Sequence, residues 1–138
     1  MPAMRSETNL QVVGELSIMK LIWVYGTLKR NHGNHQLLEA STFLGKATSE
    51  PVFTMLHLGG FPGIIRGGET PISGELYEVD ADTLKRLDRL EGHPNFYRRE
   101  PITVRMDDGT VHEVEGYVLP AVWRDQTSII TSGIWGKS

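Results

Sequence analysis

The clearest hydrophobic pattern in the chain is helical and covers residues 79–92. At about 100° per residue, Leu84, Leu87 and Leu90 lie on one side of such a helix, and most of its charged residues lie elsewhere. Glu91 is the exception, because it falls at about 340° from Leu84 and therefore on the apolar stripe. A carboxylate directed at a hydrophobic core has to be neutralised, hydrogen-bonded or used chemically. This position makes Glu91 the first candidate functional residue.

The ends of this helix are marked by residues that commonly start and stop helices. Asp80 is the predicted N-cap, since its short carboxylate can accept a hydrogen bond from a free amide of the first turn. Gly92 can take the left-handed conformation that ends a helix, and Pro94 prevents the helix from resuming. We therefore expect a short helix with Glu91 in its last turn.

Short β-rich segments account for most of the remaining pattern. Residues 21–25 are apolar throughout, which is typical of a strand buried on both faces. Asp108 and Gly109 form the tip of a predicted hairpin between the last two long strands. The other predicted strands cover residues 42–48, 52–58, 72–79, 97–106 and 111–119.

The connecting segments are less regular. Asn34 is the predicted N-cap of a second short helix over residues 35–40. Residues 29–33 form a polar, basic loop, and glycine and proline predict turns at residues 59–63 and 66–68. Six or seven strands with two short helices favour an α+β fold with a closed or strongly curved sheet.

The chain length suits one hydrophobic core. At 138 residues, we expect a single domain over residues 20–138, with Trp123 and Trp135 as packing anchors of its C-terminal tail. The first strong apolar run follows Met19 directly. We therefore expect residues 1–19 to be an N-terminal extension, either disordered or not native.

Composition narrows the functional classes. A formal net charge of −3 gives no electrostatic basis for binding nucleic acid. The absence of cysteine excludes a disulfide scaffold and a thiol nucleophile, and it fits a cytoplasmic protein. No apolar run approaches the roughly 20 residues of a membrane span, so no membrane contact is expected. The sequence does not indicate the oligomeric state.

Tyr25, Gly26, Thr27 and Leu28 lie where the first buried strand ends. A glycine at this point lets the backbone turn sharply and can leave consecutive N–H groups free to bind a carboxylate or phosphate. The alternative is an ordinary turn that ends a strand. A binding site would require a partner from elsewhere in the chain, and Glu91 is the candidate.

Each candidate also has a purely structural interpretation. Glu91 could fray into solvent at the helix end, or pair with Arg98 or Arg99. Asp88, one turn earlier, could raise the pKa of a neighbouring carboxylate, but it is better suited to hold backbone or an arginine. Tyr97 could direct a hydroxyl into the same cavity or be a core aromatic.

Several familiar chemistries are not supported. The histidines lack metal-binding spacing on a convincing helix, because Gly33 lies between His32 and His35, and we expect no metal. No serine stands in a nucleophile-elbow context, and no phosphate-loop motif occurs. The basic side chains Lys29, Arg30 and Arg66 could favour an acidic ligand, but solvated surface charge is the simpler interpretation for them.

Four segments in order along the chain carry a family resemblance. They are Tyr25-Gly26-Thr27-Leu28, Gly74-Glu75-Leu76-Tyr77, Leu87-Asp88-Arg89-Leu90-Glu91, and Tyr97. Together they resemble the γ-glutamylcyclotransferase-like family, which includes the AIG2-like proteins and the γ-glutamylamine cyclotransferases. The resemblance implies a small mixed β-barrel flanked by short α-helices, with a cavity at the end of the first strand.

The resemblance also implies an activity. A member of this family converts a γ-glutamyl compound to 5-oxoproline and a free amine or amino acid, without a cofactor. Glu91 would be the acid/base, Tyr25 to Leu28 would bind the γ-glutamyl group, and Tyr97 would line the cavity. One alternative is a catalytically silent module that binds a glutamate-like carboxylate. Another is a protein-interaction domain, whose sign would be an exposed apolar patch around Trp123 and Trp135.

Overall fold

Five strands close into a barrel in the computed structural model, which describes residues 19–125 and 128–136. In chain order they are β1 (Met19–Val24), β2 (Thr42–Ser49), β5 (Ser73–Asp80), β6 (Arg98–Met106) and β7 (Val111–Val118). Around the barrel the order is β1, β5, β2, β6 and β7. The pairing of β1 with β7 is parallel and the other barrel pairings are antiparallel, so the barrel is mixed.

The remaining elements lie around the barrel. A three-stranded sheet contains β3 (Phe53–His57), β4 (Pro62–Arg66) and β8 (Ser128–Ile129), with β3 in the middle. The helix α1 (Ala81–Glu91) follows β5 directly, and two 3₁₀ helices cover His35–Leu38 and Ala121–Asp125. The predicted α+β fold, a small mixed barrel with short helices, is confirmed.

The strand β1 is buried on both faces, as its apolar run predicts. Ile22 and Val24 pack in a core cluster with Leu87 of α1, whereas Trp23 and Tyr25 pack in a second cluster. Side chains of a strand alternate between its faces, so one short apolar segment contributes to two cores. This central placement holds the end of β1 at a defined point of the molecule.

The Trp23 ring fits because two neighbouring strands present glycine to it. A Cβ atom on Gly74 of β5 would lie 2.4 Å from the indole nitrogen, and one on Gly116 of β7 would lie 3.1 Å from the ring. The indole N–H donates a 2.9 Å hydrogen bond to the carbonyl of Ala47 on β2. Trp23 therefore joins three strands of the barrel.

The predicted caps of α1 are confirmed, but its buried stripe is narrower than expected. The Thr83 amide donates to the Asp80 carboxylate at 2.8 Å, and Gly92 has the left-handed angles φ 69° and ψ 31°. Thr83 and Leu87 are buried, whereas Leu90 is 42% exposed. Helical spacing alone predicts that Leu90 lies on the core side, and that prediction is wrong.

Other differences concern the ends of elements. β1 begins at Met19, two residues earlier than predicted, and the predicted turn at 59–63 includes the first two residues of β4. The predicted helix over 35–40 is a single 3₁₀ turn, His35–Leu38. Its N-cap prediction is wrong, because the Asn34 side chain makes no capping bond. The predicted tail anchors are confirmed, since Trp123 and Trp135 pack against the two core clusters.

The predicted N-terminal extension lies outside the described residues, except for Met19. Within residues 19–125 and 128–136, no helix is long and apolar enough to cross a membrane.

Filling the space beside Trp23 should destabilise the barrel. We expect Gly74→Ala to lower the free energy of unfolding by about 1–3 kcal/mol, because the added methyl overlaps the indole and the Val24 carbonyl. Gly33→Ala is the control, since its Cβ meets no atom within 4 Å. Urea unfolding of both variants measures the difference. Equal stability of the two would show that the strands shift freely around Trp23.

Candidate active site

A cavity of about 260 Å³ lies where β1 ends. The residues predicted for the site all line it: Tyr25, Gly26, Thr27, Leu28, Glu91 and Tyr97. They come from the end of β1, the last turn of α1 and the segment after α1. The barrel thus brings together residues that are more than sixty positions apart in the chain.

The loop after β1 bonds through its carbonyl groups and leaves its amides free. The carbonyl of Gly26 accepts from the Lys29 amide at 3.1 Å, that of Thr27 from the Asn34 amide at 2.9 Å, and that of Leu28 from His35 Nδ1 at 3.0 Å. Within the described part of the chain, the amides of Gly26, Thr27 and Leu28 donate no hydrogen bond. Consecutive unpaired amides in a loop are suited to bind an anionic group.

Asn34 fixes the far end of this loop. Its side-chain amide donates to the Thr27 hydroxyl at 2.8 Å, and Asn34 itself lines the cavity. This contact is the physical reason that Asn34 does not cap the 3₁₀ helix, since its side chain is already used within the loop. The Asn34 side chain closes the loop. The sequence does not reveal this role, because the same asparagine would be expected for an N-cap and for a loop closure.

Glu75 of β5 anchors the loop from the barrel. Its carboxylate accepts from the Arg30 amide at 2.9 Å and from the Tyr77 hydroxyl at 3.0 Å, and it lies 3.6 Å from Arg30 Nε. Glu75 is buried, and all three contacts converge on it. The Gly-Glu-Leu-Tyr motif therefore supports the loop that the Tyr-Gly-Thr-Leu motif forms.

Lys29 is not a solvated surface charge, and this expectation is wrong. Lys29 is only 2% exposed, and its Nζ donates to the carbonyl of Trp135 at 2.9 Å. Burial lowers the pKa of Lys29, while the nearby Glu75 carboxylate acts in the opposite direction. Lys29 ties the loop to the C-terminal tail. Local sequence could not show this, because Trp135 lies 106 residues away.

Glu91 is partly buried and has no partner that neutralises it. Among the described residues, no side chain pairs with its carboxylate, and burial raises its pKa to about 7 from 4.5. The predicted alternative of a pair with Arg99 is wrong, because Arg99 binds Asp88 and Glu115. Desolvation without compensation is the cause of the raised pKa.

Asp88 is structural, as its position suggested. Both of its carboxylate oxygens accept from Arg99, at 3.0 and 3.1 Å, and one also accepts from the Tyr117 hydroxyl at 2.7 Å. This arginine also donates to Glu115 at 2.7 Å. The network joins α1 to β6 and β7, and it holds Arg99 away from Glu91.

Three tyrosines surround Glu91, and each donates its proton elsewhere. Tyr25 donates to the Tyr117 carbonyl at 2.8 Å, Tyr97 donates to the Pro62 carbonyl, and Tyr117 donates to Asp88. Burial raises the pKa of each of the three, and the charge of Glu91 contributes to each shift. The tyrosines thus remain protonated and form a wall that does not solvate the carboxylate.

Sequence reasoning missed several other residues that line the cavity. Phe61, Leu90 and Phe96 line it together with Asn34 and Tyr117. Phe61 lies in a segment predicted only as a turn, and nothing local indicates that the three apolar residues converge. Within residues 19–125 and 128–136, no three histidine, aspartate or glutamate side chains are placed to hold a metal ion.

Comparison with known proteins points to one family. The family model for gamma-glutamyl cyclotransferase, AIG2-like, matches residues 22–137. A Methanocaldococcus jannaschii protein with a provisional gamma-glutamylcyclotransferase name is 38% identical over 104 residues, covering 74% of this chain and 86% of that protein. The gamma-glutamylaminecyclotransferase of Rattus norvegicus is 35% identical over 97 residues, covering 64% and 65%.

A solved structure agrees with these sequence matches. The crystal structure of an AIG2-like protein from Mus musculus superposes with a TM-score of 0.76 at 27% identity. The similarity covers 86% of this chain and 88% of that protein. This chain and the mouse protein therefore share their overall fold.

Removing the Glu75 anchor should loosen the loop and the barrel. We expect Glu75→Ala to lower the free energy of unfolding by about 2–4 kcal/mol, because it leaves the Arg30 amide and the Tyr77 hydroxyl without their acceptor. Glu78→Ala on the same strand is the control, since its carboxylate makes no ion pair with the described residues. Denaturant unfolding measures both, and a Glu75 effect no larger than the control would exclude this anchoring role.

The raised pKa of Glu91 predicts a specific pH dependence of stability. The folded protein binds the Glu91 carboxyl proton more tightly than the unfolded chain does. Glu91 therefore contributes fully to the free energy of unfolding below about pH 4.5, and this contribution is lost as the pH rises through about 7. After allowance for partial exposure, we expect the free energy of unfolding of the unmodified protein to fall by about 2 kcal/mol more than that of Glu91→Gln over this range. Parallel pH profiles of the two proteins would contradict the burial of the carboxylate.

Proposed function

The chain belongs to the gamma-glutamyl cyclotransferase, AIG2-like family, and we propose that it converts a small γ-glutamyl compound to 5-oxoproline and a free amine or amino acid. The observation that supports this most directly is the pairing of two features in one cavity. Glu91 supplies a desolvated carboxylate, and Gly26 to Leu28 supply unpaired amides.

The reaction requires little from the protein because the substrate carries its own nucleophile. The α-amine of the glutamyl group attacks its γ-carbonyl carbon, which forms the C–N bond of a five-membered lactam. The bond from that carbon to the leaving amine then breaks. One proton leaves the attacking nitrogen and one proton reaches the departing nitrogen. A single carboxyl group can therefore accept a proton from the first nitrogen and donate one to the second.

Glu91 is suited to this proton transfer by its pKa of about 7. A general acid/base works best when its pKa lies near the operating pH, because both protonation states are then accessible. An exposed glutamate would be ionised at neutral pH and a poor proton donor to the leaving amine. Burial without a neutralising cation produces the required shift, as described for the wall around Glu91.

The free amides of Gly26, Thr27 and Leu28 are suited to hold the α-carboxylate of the glutamyl group. A carboxylate that accepts from two or three backbone amides is fixed in position and orientation. Fixing one end of the flexible glutamyl chain favours the folded conformation in which the amine and the γ-carbonyl meet at about 3 Å. The cavity of about 260 Å³ has room for roughly nine water-sized groups, which matches a glutamyl group.

Tyr97 contributes a wall of the cavity in this proposal. Its hydroxyl proton is directed to the Pro62 carbonyl, so the tyrosine is not placed to donate to an oxyanion. Its ring and its edge contact with Phe96, with 5.0 Å between ring centroids, keep water from Glu91. The proposed reaction uses no cofactor, because proton transfer and orientation are the only contributions that it requires.

Replacing the acid/base should abolish most of the turnover. We expect Glu91→Gln to reduce kcat for 5-oxoproline release by about 10²- to 10⁴-fold, because glutamine cannot carry the proton. For the unmodified protein, kcat/KM should rise as the pH passes about 7, where Glu91 becomes the base form. Glu69→Gln, an exposed loop substitution, is the matched control. Turnover by Glu91→Gln equal to that control would remove Glu91 from the mechanism.

The free amides also support a second candidate function, binding of a glutamate-like carboxylate without catalysis. Calorimetry with glutamate and 5-oxoproline distinguishes the two proposals when it is combined with the turnover assay. Binding with no 5-oxoproline release from any γ-glutamyl compound would favour the binding module. The expected result is release from at least one such compound.

A further inference from the structure

Lys29 is a buried cation that the proposed reaction does not use. It directly follows Leu28, yet it lies outside the set of described residues that line the cavity. Only 2% of Lys29 is exposed, although burial of a lysine costs hydration of the ammonium group and rotamer freedom of the stem. Such a side chain stays buried only where its contacts compensate for both losses.

The backbone of Lys29 belongs to the loop with the unpaired amides, which covers residues 26–33 and is called the cavity loop below. The Lys29 amide donates to the Gly26 carbonyl at 3.1 Å, and the Lys29 carbonyl accepts from the His32 amide at 3.1 Å. These two bonds close successive turns on either side of Lys29. The position of Lys29 therefore sets the direction of the loop both before and after it.

The C-terminal tail, residues 130–136, is bound to both sheets of the molecule. The Ile130 amide donates to a carbonyl of β3 at 2.8 Å, and the Gly133 carbonyl accepts from the first amide of β5 at 2.9 Å. Trp135 packs against the second core cluster, and its carbonyl accepts from Lys29 Nζ at 2.9 Å. Lys29 is thus attached to a segment that is itself held in place.

The tail contacts the cavity loop at a second point. A Cβ atom on Gly136 would lie 2.7 Å from Cε1 of the His32 ring. Gly136 also has a φ of 69°, in the left-handed region that favours glycine. The tail can pass this close to the loop because residue 136 has no side chain. Two residues of the loop, Lys29 and His32, therefore meet the tail.

We propose that the C-terminal tail holds the cavity loop in the conformation that binds the glutamyl carboxylate, and that Lys29 is the positioning residue that connects the two. The inference rests on the proposed function. Asn34 and Glu75 hold the loop at Thr27 and Arg30, and Lys29 fixes the backbone between these two points. Lys29 does not touch the ligand and takes no part in the proton transfer.

Removing the ammonium group tests the role of Lys29, because Lys29→Met keeps an apolar stem and loses the donor to the tail. In 5-oxoproline release from the γ-glutamyl compound that the unmodified protein converts fastest, we expect KM to rise about tenfold and kcat to change by no more than about threefold. A loosened loop weakens binding of the ground state and the transition state equally, whereas Glu91 is unchanged. Lys46→Met, at an exposed position of β2, is the control.

A substitution in the tail tests the same connection from the other side. Gly136→Ala adds a methyl group that overlaps the His32 ring, and it strains the left-handed backbone. We expect KM to rise about threefold or more with little change in kcat, although Gly136 is not among the described residues that line the cavity. Thr131→Ala, an exposed substitution in the same tail, is the control.

Hydrogen exchange measures the order of the loop without reference to activity. The His32 and Asn34 amides donate to carbonyls of the cavity loop. In Lys29→Met, we expect both amides to exchange about tenfold faster, because the turns that hold them open more often. The amides of β1 should keep their exchange rates. Faster exchange in the loop alone distinguishes positioning from a general loss of stability.

The outcomes separate this inference from the proposed function. Unchanged KM and unchanged loop exchange in Lys29→Met would overturn the inference. A lower kcat at unchanged KM, with faster exchange in β1 as well, would also overturn it, because Lys29 would then serve stability alone.

The cyclotransferase proposal fails on its own if the unmodified protein releases no 5-oxoproline from any γ-glutamyl amino acid or amine. Calorimetry with glutamate then decides the inference, which requires about tenfold weaker binding by Lys29→Met than by Lys46→Met. Equal glutamate affinity of the two variants would overturn the inference, and no glutamate binding by the unmodified protein would overturn both proposals.

Discussion

A carboxylate taken out of water without a donor to replace the water is the constraint on which this cavity depends. Glu91 keeps its raised pKa only while the groups around it have other partners. Arg99 is held by Asp88 and Glu115, and Tyr117 is held by Asp88. Were any of these groups free to turn toward Glu91, its carboxylate would be stabilised and its pKa would fall.

The second requirement is a loop that presents donors rather than acceptors. Hydrogen bonds to the carbonyls of Gly26, Thr27 and Leu28 fix the loop and leave its amides available. Glu75 adds an anchor in the barrel wall, and it connects two motifs that are separate in sequence. The charge of Glu75 serves the fold and that of Glu91 is proposed to serve chemistry. The two glutamates differ in whether donors reach them.

Some features could be predicted because their causes are local. Asp80 and Gly92 bound α1 through contacts within one turn, and the apolar run of β1 implies burial on both faces. Glu91 could be identified because helical spacing places it beside Leu87. Leu90 shows where that reasoning ends, because spacing gives the direction of a side chain and not what lies opposite. There the cavity opens, and Leu90 stays exposed.

Local sequence was enough to predict the five barrel strands and β3, the caps of α1, the family resemblance and the few residues suited to chemistry, but not β4 or β8. Which of these residues meet, and which charged side chains already have a partner, depends on the tertiary structure. Lys29 looks like a surface cation until the tail returns to give it the Trp135 carbonyl. Glu91 and Asp88 are both carboxylates of α1, but only Asp88 binds Arg99. The partner of each side chain depends on which remote segments lie close to it, and these segments come together only when the barrel closes.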